Sequence, residues 1–219
     1  MKKLLLGNEA IARGAYEAGV RVSSAYPGTP STEINENVAT YPEIYSEWAP
    51  NEKVAVEVAL GAAVSGARSL ACMKHVGLNV AADPFFTATY TGVNAGMVVV
   101  VADDPGMHSS QNEQDTRMLA RASHAPVLDP SNSQECKDFL KLAYEISEKY
   151  DTPVILRVTT RIAHARTLVE LDERVEVPLR EYKRDIKKYV SMPANMIARH
   201  LYVEAVSYTH LRAHETRGN

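Results

Sequence analysis

The run MVVVVADDPG, from Met97 to Gly106, constrains the fold of this 219-residue chain more than any other stretch. Consecutive valines after a methionine have no polar alternate face, so the strand they form must be covered on both sides. Strands of that kind belong to parallel sheets with helices packed on each face. The rest of the chain supplies matching pieces. KLLLG reads as a first strand ending at Gly7, and NEAIARGAYEAG as a helix capped by Asn8 and stopped at Gly19. With VRVSSA as the next strand, the opening reads as a βαβ unit. EIYSEW predicts a short strand in which Trp48 packs. ARSLACMKH reads as a buried strand ending at His75, and GLNVAADPFFTATYTG as a helix with a break at Pro84. HAPVLDP predicts a short strand. A cap region at Ser131 to Ser133 then leads into an amphipathic helix with apolar Phe139, Leu140, Leu142, Ala143 and Ile146. PVILRVTTR closes the series. About six strands alternating with helices predict an α/β fold, a doubly wound and mainly parallel sheet with helices on both faces.

Charged residues make up 23% of the chain and the net charge is −3, so there is no basic footprint for nucleic acid or anionic lipid. The apolar run in MKKLLLGNEAIARG is too short for a signal-peptide core or a membrane span, which predicts a cytoplasmic protein. Cys72 and Cys136 stand far apart, with no CxxC motif to bind zinc or an iron–sulfur cluster. They read as buried thiols of a reducing compartment.

Three stretches hold candidate chemistry. From Glu47 to Gly77, a polar start at Asn51-Glu52-Lys53 precedes the small-residue run AVEVALGAAVSGA. Glu52 therefore stands at a helix entrance, and the Ala and Gly content lets a backbone or flat ligand approach closely. By position alone Glu52 is a helix N-terminal acid favoured by the macrodipole, worth about a few tenths of a kcal/mol. Glu57 is its rival, roughly 140° further round the helix at about 100° per residue. The second stretch, YPGTPSTE from Tyr26 to Glu33, combines a sharp Pro/Gly turn with a helix start. It follows the carboxyl end of a strand, where open parallel sheets place ligands. The third, HSSQNEQDTR, is a polar loop that also follows a strand; Arg117 within it can pair with an acid.

The wording of these stretches carries a resemblance. Glu52, then Gly61-Ala62, Gly66-Ala67-Arg68 and the turn His75-Val76-Gly77 are similar to the pyrimidine-binding domain of thiamine diphosphate enzymes. With YPGTPSTE, MKHVGLNVAADP, DDPGMHSSQNEQDTR and PVILRVTTRIAH added, the chain from Met1 to Arg199 resembles the amino-terminal part of the alpha subunits of the indolepyruvate:ferredoxin oxidoreductase family, within the 2-oxoacid:ferredoxin oxidoreductases. The resemblance implies that Glu52 bonds to the aminopyrimidine ring of thiamine diphosphate, with His75, Val76 and Gly77 beside the cofactor. Gly28, Thr29, Ser31 and Arg117 would face the 2-oxoacid, Thr29 and Ser31 as hydrogen-bond donors. Gly28 would leave room for a large substrate side chain.

The reaction implied is oxidative decarboxylation of an aryl pyruvate such as indolepyruvate to its acyl-CoA, with ferredoxin as electron acceptor and coenzyme A as acyl acceptor. These residues contain no GDG motif, so the magnesium site and the 4Fe-4S clusters are expected in further domains, and the chain alone is expected to be inactive. A beta subunit is the expected partner, in a dimer or heteromer. Alternatives are another 2-oxoacid:ferredoxin oxidoreductase, a thiamine-dependent decarboxylase, or a docking module without catalysis. Residues 1–167 read as the pyrimidine-binding domain and 168–205, charged and proline-marked, as a linker. Residues 206–219 change character and read as a non-native tail, in which His210 and His214 form a solvated pair.

Overall fold

The computed structural model describes residues 1–207, so His210 and His214 lie outside the described residues. The chain runs β1 (Lys2–Leu6), α1 (Gly7–Glu17), β2 (Val22–Ala25), α2 (Thr32–Val38), β3 (Tyr45–Trp48) and α3 (Glu52–Val64). It continues through β4 (Ser69–Lys74), α4 (His75–Val80), α5 (Ala82–Thr91), β5 (Met97–Asp103), α6 (Thr116–Ala122), β6 (Val127–Leu128) and α7 (Ser133–Tyr150). It closes with β7 (Val154–Thr159), α8 (Thr160–His164), β8 (Arg166–Glu170), α9 (Ile186–Tyr189) and α10 (Pro193–Ala205).

Six strands form a parallel sheet in the order β3-β2-β4-β5-β7-β6. Alternation of side chains across it divides the interior into two cores. Leu70, Cys72, Val98, Val100, Ala102, Val154, Leu156 and Val158 point to one face, where α1, α2 and α7 supply Ile11, Ile34, Leu140 and Tyr144. Ala71, Met73, Met97, Val99, Val101 and Ile155 point to the other, against Val56 and Ala59 of α3, Leu78 of α4 and Phe85 of α5. Every residue of β5 is buried, as the valine run requires. Full burial of each such side chain contributes about 1.5–3 kcal/mol, so these central strands hold the layers together. Cys72 and Cys136 are buried free thiols; burial, aided by Glu135, pushes Cys136 up to about 12.

Several expectations are corrected. β1 does not open a βαβ unit of the main sheet: it pairs antiparallel with β8 in a separate two-stranded ribbon. Propensity identifies a strand but not its partner. Asn8 does not cap α1, whose N-cap is Leu6. It is buried instead, and its Nδ2 donates to the Pro30 carbonyl at 2.8 Å and to Glu33 at 3.2 Å. Trp48 does not pack inside; it is 46% exposed on the edge strand. The break between α4 and α5 falls at Ala81 rather than Pro84, which lies in the first turn of α5, where proline is tolerated.

The charged segment after β8 is not a free linker. Asp172 takes Lys137 and Lys141 at 2.9 Å each, and its N–H donates to the buried Glu17. Arg174 donates to the carbonyls of Tyr16 and Val20, and Arg180 joins Arg68 on Glu148. The strap crosses Gly66, whose φ of +99° and missing side chain allow the Arg180 backbone to lie against it. That is where close backbone approach occurs; a methyl group at Gly61 would meet nothing within 4 Å. Beyond the strap, Lys188 and Arg199 fasten α9 and α10 to Asp151 at 2.7 and 3.0 Å.

Candidate functional site

In the sheet order, β2 is followed by β3 on one side while β4 lies on its other side. The loop after β2 leads to α2 on one face, and β4 leads to α4 and α5 on the opposite face. The two connections therefore diverge between β2 and β4, and this switch point opens a crevice at the carboxyl ends of the strands. The YPGTPST loop, the head of α3, the end of β4 and the polar loop after β5 all arise at that edge of the sheet.

Asn51 caps α3, accepting from the Val54 N–H at 3.0 Å, and so fixes Glu52 as the first helical residue. The Glu52 side chain lies across Gly77: a methyl group at position 77 would stand 2.5 Å from Oε1, 2.6 Å from Cγ and 2.8 Å from Cδ. Among the described residues nothing forms a hydrogen bond or ion pair with this half-buried carboxylate. Glu57, its rival, is exposed. Two residues from Gly77, His75 is 1% exposed and its Nε2 lies 3.0 Å from the Asn112 carbonyl. With Nε2 donating to that oxygen, Nδ1 is an acceptor, and it is buried without a partner. The residues His75-Val76-Gly77 form the first turn of α4 rather than a turn outside it, and Val76 is half-buried beside them.

The other candidates separate. Gly28 does not leave open room: a methyl group there would meet Lys74 Cδ at 3.1 Å and Cγ at 3.2 Å, so the stem of Lys74 already occupies the space. Ser31 is not a free donor, because its hydroxyl turns back to the Gly28 carbonyl at 2.7 Å and, with the Ser31 N–H at 2.8 Å, holds the turn. Thr29 is exposed at the crest of the loop, and its carbonyl accepts from Ser109 Oγ at 3.4 Å. Arg117 is bonded to Asp115 through Nε and Nη2 at 2.7–3.1 Å, with Asp129 at 3.8 Å. Its charge is answered chiefly by the N-cap of its own helix.

Two organising residues, Asp104 and Lys74, escaped the sequence reading, and a third, Asn8, reads there only as a helix cap. Asp104 is buried and accepts from Ser109 N–H, Ser110 Oγ and Thr160 Oγ1. Burial alone would raise its carboxyl, but these hydrogen bonds outweigh it and hold the group well below the usual carboxylate range. Lys74, 9% exposed, donates from Nζ to the Ser109 carbonyl at 3.1 Å, so the Ser109 peptide is gripped from both sides. Asn8, through Pro30, fixes the neighbouring loop. The sequence signal was the placement of Asp104 and Lys74 at strand ends; ordinary statistics assign both residue types to solvent.

A family model described as pyruvate flavodoxin/ferredoxin oxidoreductase, thiamine diphosphate-binding, matches residues 13–217. The chain is 51% identical over 208 residues to the indolepyruvate oxidoreductase subunit IorA of Pyrococcus horikoshii, covering 91% of this chain and 32% of that protein. To IorA of Methanothermobacter thermautotrophicus it is 49% identical over 223 residues, covering all of this chain and 36% of the relative. The 2-oxoglutarate synthase subunit KorA of the same organism is 31% identical over 180 residues, covering 78% of this chain and 48% of KorA. The chain thus spans about a third of the length of the IorA relatives. A solved 2-oxoglutarate:ferredoxin oxidoreductase from Magnetococcus marinus superimposes with a TM-score of 0.75 at 20% identity, over 94% of this chain and 45% of that one, which shows a shared fold.

Proposed function

We propose that this chain, which belongs to the thiamine diphosphate-binding family of pyruvate flavodoxin/ferredoxin oxidoreductases, supplies the aminopyrimidine half of a cofactor site that acts on aryl 2-oxoacids. The observation that carries the reading is the Glu52 carboxylate, unpaired and resting on Gly77. A side chain at position 77 would fill the place the carboxylate occupies, and His75, whose Nδ1 is buried and unpartnered, opens the same helix two residues earlier. A carboxylate and an imidazole nitrogen, each without a partner among the described residues, fit a flat heterocycle bearing ring-nitrogen and amino groups. Thiamine diphosphate, when bound, supplies the carbon nucleophile and electron sink that decarboxylation of a 2-oxoacid requires.

In this reading Glu52 holds a hydrogen bond to the pyrimidine ring where the neighbouring apolar core limits competition from water. His75 is kept in one tautomer by Asn112 and orients the same ring. Val76 covers it, Thr29 offers its hydroxyl from the facing loop, and Arg117 secures the start of α6 behind the polar loop.

Among the described residues no group of three or more His, Cys, Asp or Glu side chains stands ready to hold a metal ion. The same family resemblance assigns magnesium and 4Fe-4S clusters to other parts of the enzyme, with a beta subunit, ferredoxin and coenzyme A as partners. Among those residues no helix is long and apolar enough to cross a membrane. The indolepyruvate preference is supported by the names of the IorA relatives and their higher identity, 49–53% against 29–31% for KorA proteins.

The test is Glu52→Gln in the assembled oxidoreductase, which keeps shape and removes the charge. Turnover of an aryl pyruvate is expected to fall about 10²–10⁴-fold with an unchanged melting temperature. Turnover at the parental rate would refute the assignment.

A further inference from the structure

We propose that the Lys74 ammonium is the anchor for the carboxylate of the 2-oxoacid, and that Gly28 gives the lysine stem its place; this rests on the thiamine reading above. Lys74 ends β4, inside the switch-point crevice, and is 9% exposed. Of the buried lysines and arginines among the described residues, Lys137 has Glu17 and Asp172, and Arg157 has Asp103 and Asp129. Among the described residues Lys74 has no carboxylate partner, and the hydrogen bond it makes there runs to the Ser109 carbonyl, which leaves ammonium donors unused. A buried ammonium with donors unused and no carboxylate in contact is a ready receptor for an arriving anion.

The neighbours do not offer that anion. The nearby buried acid, Asp104, is committed to Ser109, Ser110 and Thr160. Nor is Arg117 a competing receptor, since Asp115 holds it through two nitrogens. The lysine lies where it does because position 28 lacks a side chain: its Cδ is 3.1 Å from where a methyl group would be. The exposed Thr29 stands next in the chain, and Ser109 Oγ closes the gap between the two loops by donating to the Thr29 carbonyl. One cation and the crest of a polar turn therefore meet at the carboxyl edge of the sheet, three residues before the glycine on which Glu52 rests. A small carboxylate whose other end reaches the cofactor site matches that arrangement. The diphosphate of the cofactor is the other anion within the same chemistry.

The two sources are separated in the assembled oxidoreductase by comparing the parent with Lys74→Met and Lys74→Arg. 3-Phenylpropionate and its neutral amide serve as unreactive probes that differ in charge, and calorimetry gives the affinity for thiamine diphosphate. The parent is expected to prefer the acid. Lys74→Met should lose that preference and raise KM for phenylpyruvate roughly 10- to 100-fold, as expected for loss of a hydrogen bond to a charged group. Thiamine diphosphate affinity should stay unchanged, and Lys74→Arg should retain the preference for the acid. Survival of the acid preference in Lys74→Met overturns the proposal, and so does a fall in cofactor affinity in place of the KM change. Absence of thiamine diphosphate binding by the parent would instead sink the thiamine reading itself.

Discussion

Substituting Gly77 by alanine separates the architecture of the site from its chemistry. The new methyl group would stand 2.5 Å from Glu52 Oε1 and 2.8 Å from Cδ, against 3.4–4 Å for ordinary contact. The carboxylate must therefore retreat by about 1 Å, which is a contact-distance estimate. No hydrogen bond holds it, so the side chain rotates aside at little cost to the fold. Position 77 has no positive φ and lies within α4, where alanine is better than glycine by up to about 1 kcal/mol. Stability should be unchanged or slightly higher. Displacing a positioned group by about 1 Å costs on the order of 10²-fold in rate. The assay combines aryl pyruvate turnover by the assembled enzyme, thermal unfolding, and titration with thiamine diphosphate. Expected together are an unaltered or raised Tm, weaker cofactor binding and turnover near the level of Glu52→Gln. Turnover within about threefold of the parent would refute the link between Gly77 and Glu52, taking that estimate as the yardstick. A collapse in Tm would show that the glycine serves packing instead.

Two further substitutions probe the supports of the site. Asp104→Asn removes the charge, and one of the two acceptor oxygens, that gather Ser109, Ser110 and Thr160. Because the folded carboxyl is depressed, its stabilisation is present above the unfolded value near pH 4 and fades as pH falls towards the lower folded value. The Tm gap between parent and variant should thus be full at neutral pH and shrink below about pH 4; a pH-independent gap would argue against the charge. Arg157→Met leaves Asp103 and Asp129, each 2.7 Å from the guanidinium, without their shared cation. Denaturant unfolding should register a loss of about 3–5 kcal/mol, and a loss under about 1 kcal/mol would show that the pair is screened by solvent.

How much of this was legible in the sequence depends on what each residue reports. The valine run announced a doubly covered strand because burial on both faces leaves no freedom in composition, and Val98 and Val99 do face opposite cores. The place of Glu52 at the head of α3 was legible from its polar start, Asn51-Glu52-Lys53, whereas the cofactor role came only from the resemblance. Gly28 was misread because a missing side chain looks like vacancy, whereas Lys74 arrives from another strand to fill it. Ser31 read as a free donor because its partner, the Gly28 carbonyl, is local and looks incidental in sequence; Arg117 read as pairing with an acid, and in the structure that acid is Asp115. Lys74 itself went unmarked, since a lysine at a strand end is ordinarily solvated. The strap was invisible for a related reason: alternating charges signal solvent unless the charges that answer them, such as Glu17 and Glu148, are known to be in place.

The bond between Glu17 and Asp172 also bears on the order in which the chain is made. Glu17 is buried in the first helix, yet two of its partners, Lys137 and the Asp172 N–H, lie far downstream. As the chain leaves the ribosome, α1 emerges early and cannot complete these contacts until the strap follows, so its final docking comes late in synthesis. The same dependence fixes where the unit can be cut. A chain ended at residue 167 would be severed inside β8 and stripped of Asp172, while one carried through Arg199 keeps both the ribbon and the anchor on Asp151. The contacts that close the fold thus extend to Arg199, well past the final strand of the sheet.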